Sequence, residues 1–245
     1  MKISMVMLSY NRGRMLEKVT DINLASAGDV IDEFIWVDNA STDDTRKIFP
    51  KYNPDVSILN KTNLGLAIAL NRGLVCATGD AILINEGDII FPSGWLVMIK
   101  KYLEGIEMTG CLSIPNQGNV DWNNTPVTEI NGLPVCVQDI AIGATVRTRR
   151  LMKYVGYYHQ DLGLYGQEDR VWNNFANNIR ETTGLIHYMI PGFEGIHQLC
   201  SFANIDTPEG YDELKNREAF NPEKLKFVET LVGKGGKYYN PFLWM

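Results

Sequence analysis

Apolar residues come in short, evenly spaced runs along the first ninety positions. Lys2 to Leu8, Glu33 to Asp38, Asp55 to Asn60 and Ala81 to Ile84 each carry such a run, bounded by polar or turn residues. Short apolar runs of this kind predict strands buried in a sheet. Between them the apolar residues shift to helical spacing. Leu16, Val19, Ile22 and Asn23 lie near a helical repeat, with Met15 beside them, and predict a helix from about Arg14, stopped by Ala27-Gly28-Asp29. Leu66 to Ala77 predicts another, stopped by Thr78-Gly79-Asp80. Strands alternating with helices imply a parallel sheet covered on both faces. In such sheets ligands bind outside the carboxyl ends of the strands.

The pattern then loosens. A helix from about Ser93 to Leu103 and a strand near Gly110 to Ile114 come first. From Pro115 to Gln138, Asn, Gly and Pro break the periodicity, which predicts a loop or hairpin excursion. Ile140 to Arg147 returns as a strand, and Thr148 can cap a short helix through Tyr154. Val171, Trp172, Phe175, Ala176 and Ile179 share one helical face just after Glu168-Asp169. Leu185 to Ile190 is a last strand. Leu225, Val228, Leu231 and Val232 give the charged C-terminal stretch an apolar face, ahead of an aromatic tail.

Composition narrows the function classes. At 245 residues and 45% hydrophobic, the chain can fill one large core. A formal net charge of −6 gives no global attraction to nucleic acid or to an anionic membrane. The dense basic stretch is Arg147-Thr148-Arg149-Arg150, which leaves a nucleic-acid acceptor disfavoured but open. No apolar run approaches the ~20 residues that span a bilayer, and the N-terminus has no cleavable signal pattern. The cysteines Cys76, Cys111, Cys136 and Cys200 are widely spaced, which suits small buried residues in a reduced, cytoplasmic setting.

The candidate chemistry lies at the strand ends. Asn85-Glu86-Gly87-Asp88 follows a buried strand and offers two carboxylates one residue apart. Mg²⁺ or Mn²⁺ takes such hard oxygens together with substrate phosphates; the plainer reading is a solvated acidic turn. Asp38 ends the second strand at the expected crevice, either as a nucleoside-binding carboxylate or as part of the capping chemistry of Ser41, Thr42, Asp43 and Asp44. Glu168 and Asp169 open a helix, where the helix dipole alone would account for them. His197, in a loop after the last strand, is either a structural residue or a ligand.

Taken in order, several stretches resemble a known family. These are Ser9-Tyr10-Asn11-Arg12, Val37-Asp38-Asn39-Ala40-Ser41-Thr42-Asp43-Asp44-Thr45, Asn63-Leu64-Gly65 with Asn71-Arg72-Gly73, and Ala77-Thr78-Gly79-Asp80 before an apolar strand. The series is similar to the family 2 glycosyltransferases of the GT-A fold. Gly166-Gln167-Glu168-Asp169 resembles the Gly-x-Glu-Asp element of galactosyltransferase-type C-terminal segments.

The resemblance implies an α/β fold of GT-A type, a mostly parallel Rossmann-like sheet flanked by helices with a smaller acceptor-side region. It implies a nucleotide-sugar donor, with a UDP-sugar the leading candidate, a divalent Mn²⁺ or Mg²⁺, and inverting transfer to a glycan or other hydroxyl acceptor. Residues 1–114 would hold the donor, 115–205 the acceptor and catalytic half of the same domain, and 206–245 a helical extension and tail. Ser9, Tyr10, Asn11, Arg12, Asp38, Asn63, Gly65 and Asn71 would bind the donor. Asp88 would be the main metal ligand, with Glu86 where an Asp is usual and His197 as a third candidate. Asp169 would be the general base, Glu168 would hold the acceptor, and Gly143 and Ala144 would make room for it. A nucleotidyltransferase would also use acidic metal ligands, but Ser9 to Arg14 has one glycine where that class needs a Gly-rich phosphate loop. An inert nucleotide- or sugar-binding module is the reading that the Glu86 departure motivates.

Overall fold

Strand β1 (Ile3–Ser9) is buried along its whole length. The computed structural model that shows this describes residues 1–140, 143–164, 166–197 and 221–232. Ile3, Met5 and Met7 face one apolar cluster, and Val6 and Leu8 face another. The neighbouring β2 (Glu33–Asp38) does the same, with Phe34 and Trp36 on one side and Ile35 and Val37 on the other. A strand covered on both faces has no reason to alternate with polar residues, which is why these runs are continuous.

The further elements in chain order are α1 (Gly13–Ser26), α2 (Thr45–Ile48), β3 (Val56–Leu59), α3 (Leu66–Cys76), β4 (Ala81–Asn85), β5 (Ile89–Ile90) and α4 (Trp95–Gly105). Then come β6 (Thr109–Pro115), β7 (Thr128–Ile130), β8 (Leu133–Val137), β9 (Gly143–Thr148), α5 (Arg149–Val155), α6 (Glu168–Asn178), α7 (Arg180–Thr183), β10 (Ile186–Met189) and β11 (Ile196–His197). The last described element is α8 (Pro222–Val232).

Among the described residues nine strands form one sheet in the order β3-β2-β1-β4-β9-β6-β10-β8-β7. The four strands of the first half are mutually parallel. β9 runs antiparallel between β4 and β6, and β10 is again parallel to β6. The loop excursion expected from Pro115 to Gln138 contains the β7–β8 hairpin, which extends the sheet beyond β10. α1 and α4 cover one face through Leu16, Trp95, Leu96 and Ile99. α3, α5, α6 and α8 cover the other through Leu70, Leu151, Trp172 and Val228.

This topology gathers the functional edge. Ser9 pairs with Asp38 and Met7 with Asn85, so β1, β2 and β4 end together. The start of antiparallel β9 lies on the same edge, with Ile84 opposite Thr145 and Pro115 opposite Gly143. His197 pairs through its backbone with Ile89, next to Asp88.

Some local expectations need correction. Of the expected helical repeat, Ile22 is exposed on α1, while Leu16, Val19 and Asn23 are buried. The Asn23 side chain donates to Ile89 O and accepts from Phe91 N, so its burial leaves no polar group unmet. Neither Ser41 nor Thr42 caps α2: its N-cap is Asp44, which makes no side-chain cap bond, and Asp43 accepts from Thr45 N and Gly13 N. The expected basic patch dissolves. Arg147 is buried, Arg149 binds the carbonyls of Gly79 and Ala77, and Arg150 binds that of Glu107. Cys76 is half-buried, while Cys111 and Cys136 are buried. Cys200 and the aromatic tail lie outside the described residues.

Candidate active site

The turns after β1, β2 and β3 are tied to one another by side chains. Asn11 N–H donates to Ser41 Oγ at 3.0 Å, and Asn11 Oδ1 accepts from Thr42 N at 2.7 Å. Asn39 donates to Asn63 Oδ1 at 2.8 Å and accepts from Asn60 and from Leu64 N. Asp38 is fully buried, and its carboxylate is occupied by Ser41 N and by Arg46 Nε at 2.6 Å. Here Asp38 organises the turn that follows it. Ser9 is buried with its hydroxyl on Trp36 Nε1, whereas Tyr10 stands exposed.

A cleft of about 750 Å³ lies at this edge of the sheet, and none of Ser9, Tyr10, Asn11, Arg12, Asp38, Asn63, Gly65 and Asn71 is among its lining residues. Glu86, Asp88, Gly143, Ala144, Glu168 and Asp169 all line it. Gly87 lets the two carboxylates flank a tight turn: it has φ +77°, and a Cβ there would meet Leu16 Cδ1 at 2.4 Å. Asn85 steadies the turn by accepting from Gly87 N at 2.8 Å. Gly143 has φ +141°, and its Cβ would lie 2.3 Å from Ile114 O, so β9 can approach β6 here only with glycine. The room it leaves in the cleft accompanies a packing requirement.

Arg12 belongs with the acidic turn. Its Nη1 donates to Asp88 Oδ2 at 2.7 Å and to the Glu86 carbonyl at 3.3 Å. Glu86 is half-buried, and its carboxyl is pushed up to about 8 by burial first, then by Asp88 and Asp169, against the pull of Arg12. Glu168 is buried at the first turn of α6 and is pushed up to about 7. Burial is again the main cause, opposed by its own backbone N–H and reinforced by Asp169. Burial and mutual repulsion thus hold Glu86 and Glu168 toward their neutral forms, while Asp88 is paired with Arg12.

Asp169 is the more exposed member of the α6 pair, and it has a partner that the sequence did not suggest. Tyr158 Oη donates to Asp169 Oδ1 at 3.0 Å. Arg147 Nη2 in turn donates to Tyr158 Oη at 2.6 Å and lies 3.7 Å from Asp169 Oδ1. The Arg147 guanidinium stacks on the Trp172 ring at 3.6 Å and faces the Tyr158 ring at 4.7 Å. Asn71, expected at the donor, is buried and clamps the Tyr158 backbone, accepting from its N–H and donating to its carbonyl, both at 2.9 Å. Gly65 packs against Gly163, and the adjoining Leu66 lines the cleft.

Among the described residues no group of three His, Cys, Asp or Glu side chains is arranged to hold a metal ion. The His197 side chain lies outside the described residues. Glu86 and Asp88 still fit a hard divalent cation that completes its shell with phosphate oxygens and water. A cleft lined by Glu86, Asp88, Glu168 and Asp169 would otherwise repel a phosphate-bearing ligand.

The family model for glycosyl transferase family 2 matches residues 4–169. The chain belongs to that family. Among curated relatives, the glycosyltransferase YibD of Escherichia coli K12 is 22% identical over 195 residues, covering 76% of this chain and 53% of the relative. The chain spans about half, or less, of the length of the curated relatives it matches. Among solved structures, glucosyl-3-phosphoglycerate synthase from Mycobacterium tuberculosis, in complex with Mn²⁺, UDP and phosphoglyceric acid, aligns with a TM-score of 0.62. The alignment has 18% identity and covers 95% of this chain and 78% of the other. The mannosyltransferase PcManGT from Pyrobaculum calidifontis, in complex with GDP-Man and Mn²⁺, aligns with a TM-score of 0.61 and 18% identity, covering 98% and 76%. These likenesses establish the GT-A fold for this family 2 chain. Among its described residues no helix is long and apolar enough to cross a membrane.

Proposed function

We propose that this chain is a metal-dependent glycosyltransferase. It would move a sugar from a nucleotide-sugar, with UDP-sugars first among candidates, to an acceptor hydroxyl with inversion. The observation that carries this reading is the shared cleft: the Glu86–Asp88 turn and the Glu168–Asp169 helix start line one opening. Transfer needs an anionic donor on one side and a proton acceptor on the other, and the cleft offers a carboxylate group for each.

On the donor side, the knitted turns from Ser9 to Arg12, Asp38 to Thr45 and Asn63 to Gly65 form the base- and ribose-binding rim. Asp38 contributes by holding that rim in shape, and Asn71 contributes through Tyr158. Asp88 leads the metal site, with Glu86 and His197 as further ligands. When bound, Mn²⁺ or Mg²⁺ neutralises charge on the departing diphosphate. Arg12, already on Asp88, adds a second positive group at that side.

On the acceptor side, Asp169 takes the proton from the attacking hydroxyl, a role worth roughly 10²–10⁴-fold in rate. Tyr158 and Arg147 fix the orientation of its carboxylate. Glu168 holds the acceptor, and Gly143 and Ala144 leave space at the junction. Residues 1–114 thus carry the donor half, 115–205 the acceptor and base, and 206–245 the extension. The setting is cytoplasmic, which matches the widely spaced free cysteines.

The test is donor hydrolysis by the purified chain with UDP-, GDP-, CMP- and dTDP-sugars, in Mn²⁺, Mg²⁺ or EDTA. Metal-dependent turnover of one nucleotide class is expected. No binding or turnover of any donor in either metal would leave an inert module, the rival that the raised Glu86 carboxyl favours.

A further inference from the structure

A cation of the chain's own already stands on the carboxylate expected to lead the metal site. Arg12 Nη1 donates to Asp88 Oδ2 at 2.7 Å, and the same nitrogen donates to the Glu86 carbonyl at 3.3 Å. The guanidinium thus grips both ends of the Glu86-Gly87-Asp88 turn. The Arg12 side chain is 12% exposed and that of Asp88 6%. Water screens such a pair little, so it is stronger than a surface salt bridge and costly to open without replacement partners.

The Arg12 backbone is fixed on both sides. Its N–H donates to Thr45 Oγ1 at 3.1 Å, and its carbonyl accepts from Leu16 N at 2.8 Å as α1 begins. The preceding Asn11 sits in the left-handed region at φ 49°, with its side-chain oxygen on Thr42 N. Leaving Asp88 therefore takes rotation of the Arg12 side chain, with the turn kept in place.

A divalent ion and this guanidinium compete for Asp88. Mg²⁺ ligated by Oδ2 at roughly 2.1 Å would stand less than about 5 Å from Nη1. Two positive centres that close in a mostly buried site repel. Hydrogen bonds that support a metal ligand raise its basicity. A guanidinium is charged at every working pH and draws charge out of the carboxylate instead.

We propose that Arg12 is a tethered cation that guards Asp88, and that a divalent ion must displace it to bind there. The proposal rests on the transferase reading, to which it adds what controls entry of the metal. In that reading the donor's diphosphate receives the displaced guanidinium, since Arg pairs readily with phosphate oxygens. Metal and nucleotide then assist each other, because whichever binds first moves Arg12 for the second.

Mn²⁺ binding to the full chain without nucleotide, read from the EPR signal of the free ion, tests the proposal. Arg12→Gln should bind Mn²⁺ about tenfold more tightly than wild type, within the usual range of such couplings. Arg12→Lys keeps the charge and should stay closer to wild type. Calorimetric titration with UDP in Mn²⁺ and in EDTA gives the coupling. The gain in UDP affinity that Mn²⁺ confers should shrink in Arg12→Gln by about the same tenfold factor, because neither ligand then has a guanidinium to move. A coupling unchanged by the substitution would overturn the hand-over to the diphosphate. Thermal unfolding checks the fold of each variant. If Arg12→Gln does not fold, ¹⁵N-arginine NMR of the wild type decides: the slowly exchanging Nη protons of Arg12 should become fast-exchanging on saturation with Mg²⁺, and protons that stay slow would overturn the inference. Mn²⁺ affinity in Arg12→Gln equal to or below that of wild type would also overturn it, and would make Arg12 a support for the ligand. With UDP still bound in Mn²⁺, that result spares the transferase reading. Tighter Mn²⁺ binding by the variant, in a chain that binds no nucleotide, would sustain the competition at Asp88 and sink the transferase reading.

Discussion

The hydroxyl of Tyr158 donates to Asp169 Oδ1 at 3.0 Å, and Arg147 fixes that hydroxyl from behind at 2.6 Å. Burial pushes the Tyr158 phenol well above its usual range; Arg147 opposes the shift and Asp169 adds to it. The phenol therefore remains a donor throughout the working pH range. It holds one carboxylate oxygen of Asp169, and in the proposed reaction the other would meet the acceptor hydroxyl.

Tyr158→Phe removes that donor without removing the ring. Turnover should fall about tenfold, the effect of a mispositioned base rather than a missing one. The KM for the donor should stay within about twofold, since the lost hydroxyl bonds Asp169 and Arg147 and the backbone clamp from Asn71 is kept. The variant should also lose about 1–3 kcal/mol of stability, because the buried Arg147 Nη2 loses its acceptor. Steady-state kinetics and a denaturant melt check both parts. An equal loss in donor affinity would refute the positioning role.

Arg147→Lys keeps the charge but gives up the planar stack on Trp172 and the forked donor geometry. Turnover should fall to at least the level of Tyr158→Phe. The double variant should be little worse than the more damaging single one, because both act through one chain of contacts. A double-variant loss equal to the product of the singles would contradict this coupling.

Much of the fold was legible because the strands are short and buried on both sides. β2 begins and ends where Glu33 and Asp38 bound the apolar run, and α6 begins at Glu168 as its dipole-favoured acids suggest. The exceptions are polar residues whose partners lie far away in sequence. Asn23 falls in the helical repeat of α1, but only the fold shows that Ile89 and Phe91 supply the bonds its burial needs. Arg147 reads as part of a basic patch. Its cue was position: it sits two residues after Thr145 in an otherwise buried strand, where an unpaired cation would be costly. Tyr158 carried no periodic signal at all, because it lies in a loop whose shape Asn71 imposes from α3.

The raised Glu168 carboxyl makes stability depend on pH. Burial pushes that carboxyl up to about 7 from the ordinary 4.5. The folded state thus disfavours the ionised form. The stability available below about 4.5 is lost as pH rises through about 7. Glu168→Gln cannot ionise, so it should melt a few degrees above wild type at pH 8.5 and level with it near pH 4, a difference on the order of 1–3 kcal/mol. Scanning calorimetry at the two pH values checks the sign. A variant less stable than wild type at pH 8.5 would show that the Glu168 charge is paired, not merely buried.

Asp88→Ala should abolish the difference between donor binding in Mn²⁺ and in EDTA. It also releases Arg12 from its 2.7 Å contact, so some metal-free nucleotide affinity should persist through that cation. Calorimetric titration with UDP in each condition measures both. A retained metal dependence would move the principal ligand away from Asp88.

The most direct measurement is single-turnover transfer and donor binding by Asp169→Asn, side by side with wild type. Asn keeps the shape of the side chain and can still accept from Tyr158, but it cannot take up the proton. The expected result is donor affinity within about twofold of wild type and a rate lower by about 10²-fold or more. Wild-type rates in the variant, or donor affinity falling in step with the rate, would contradict a base at Asp169.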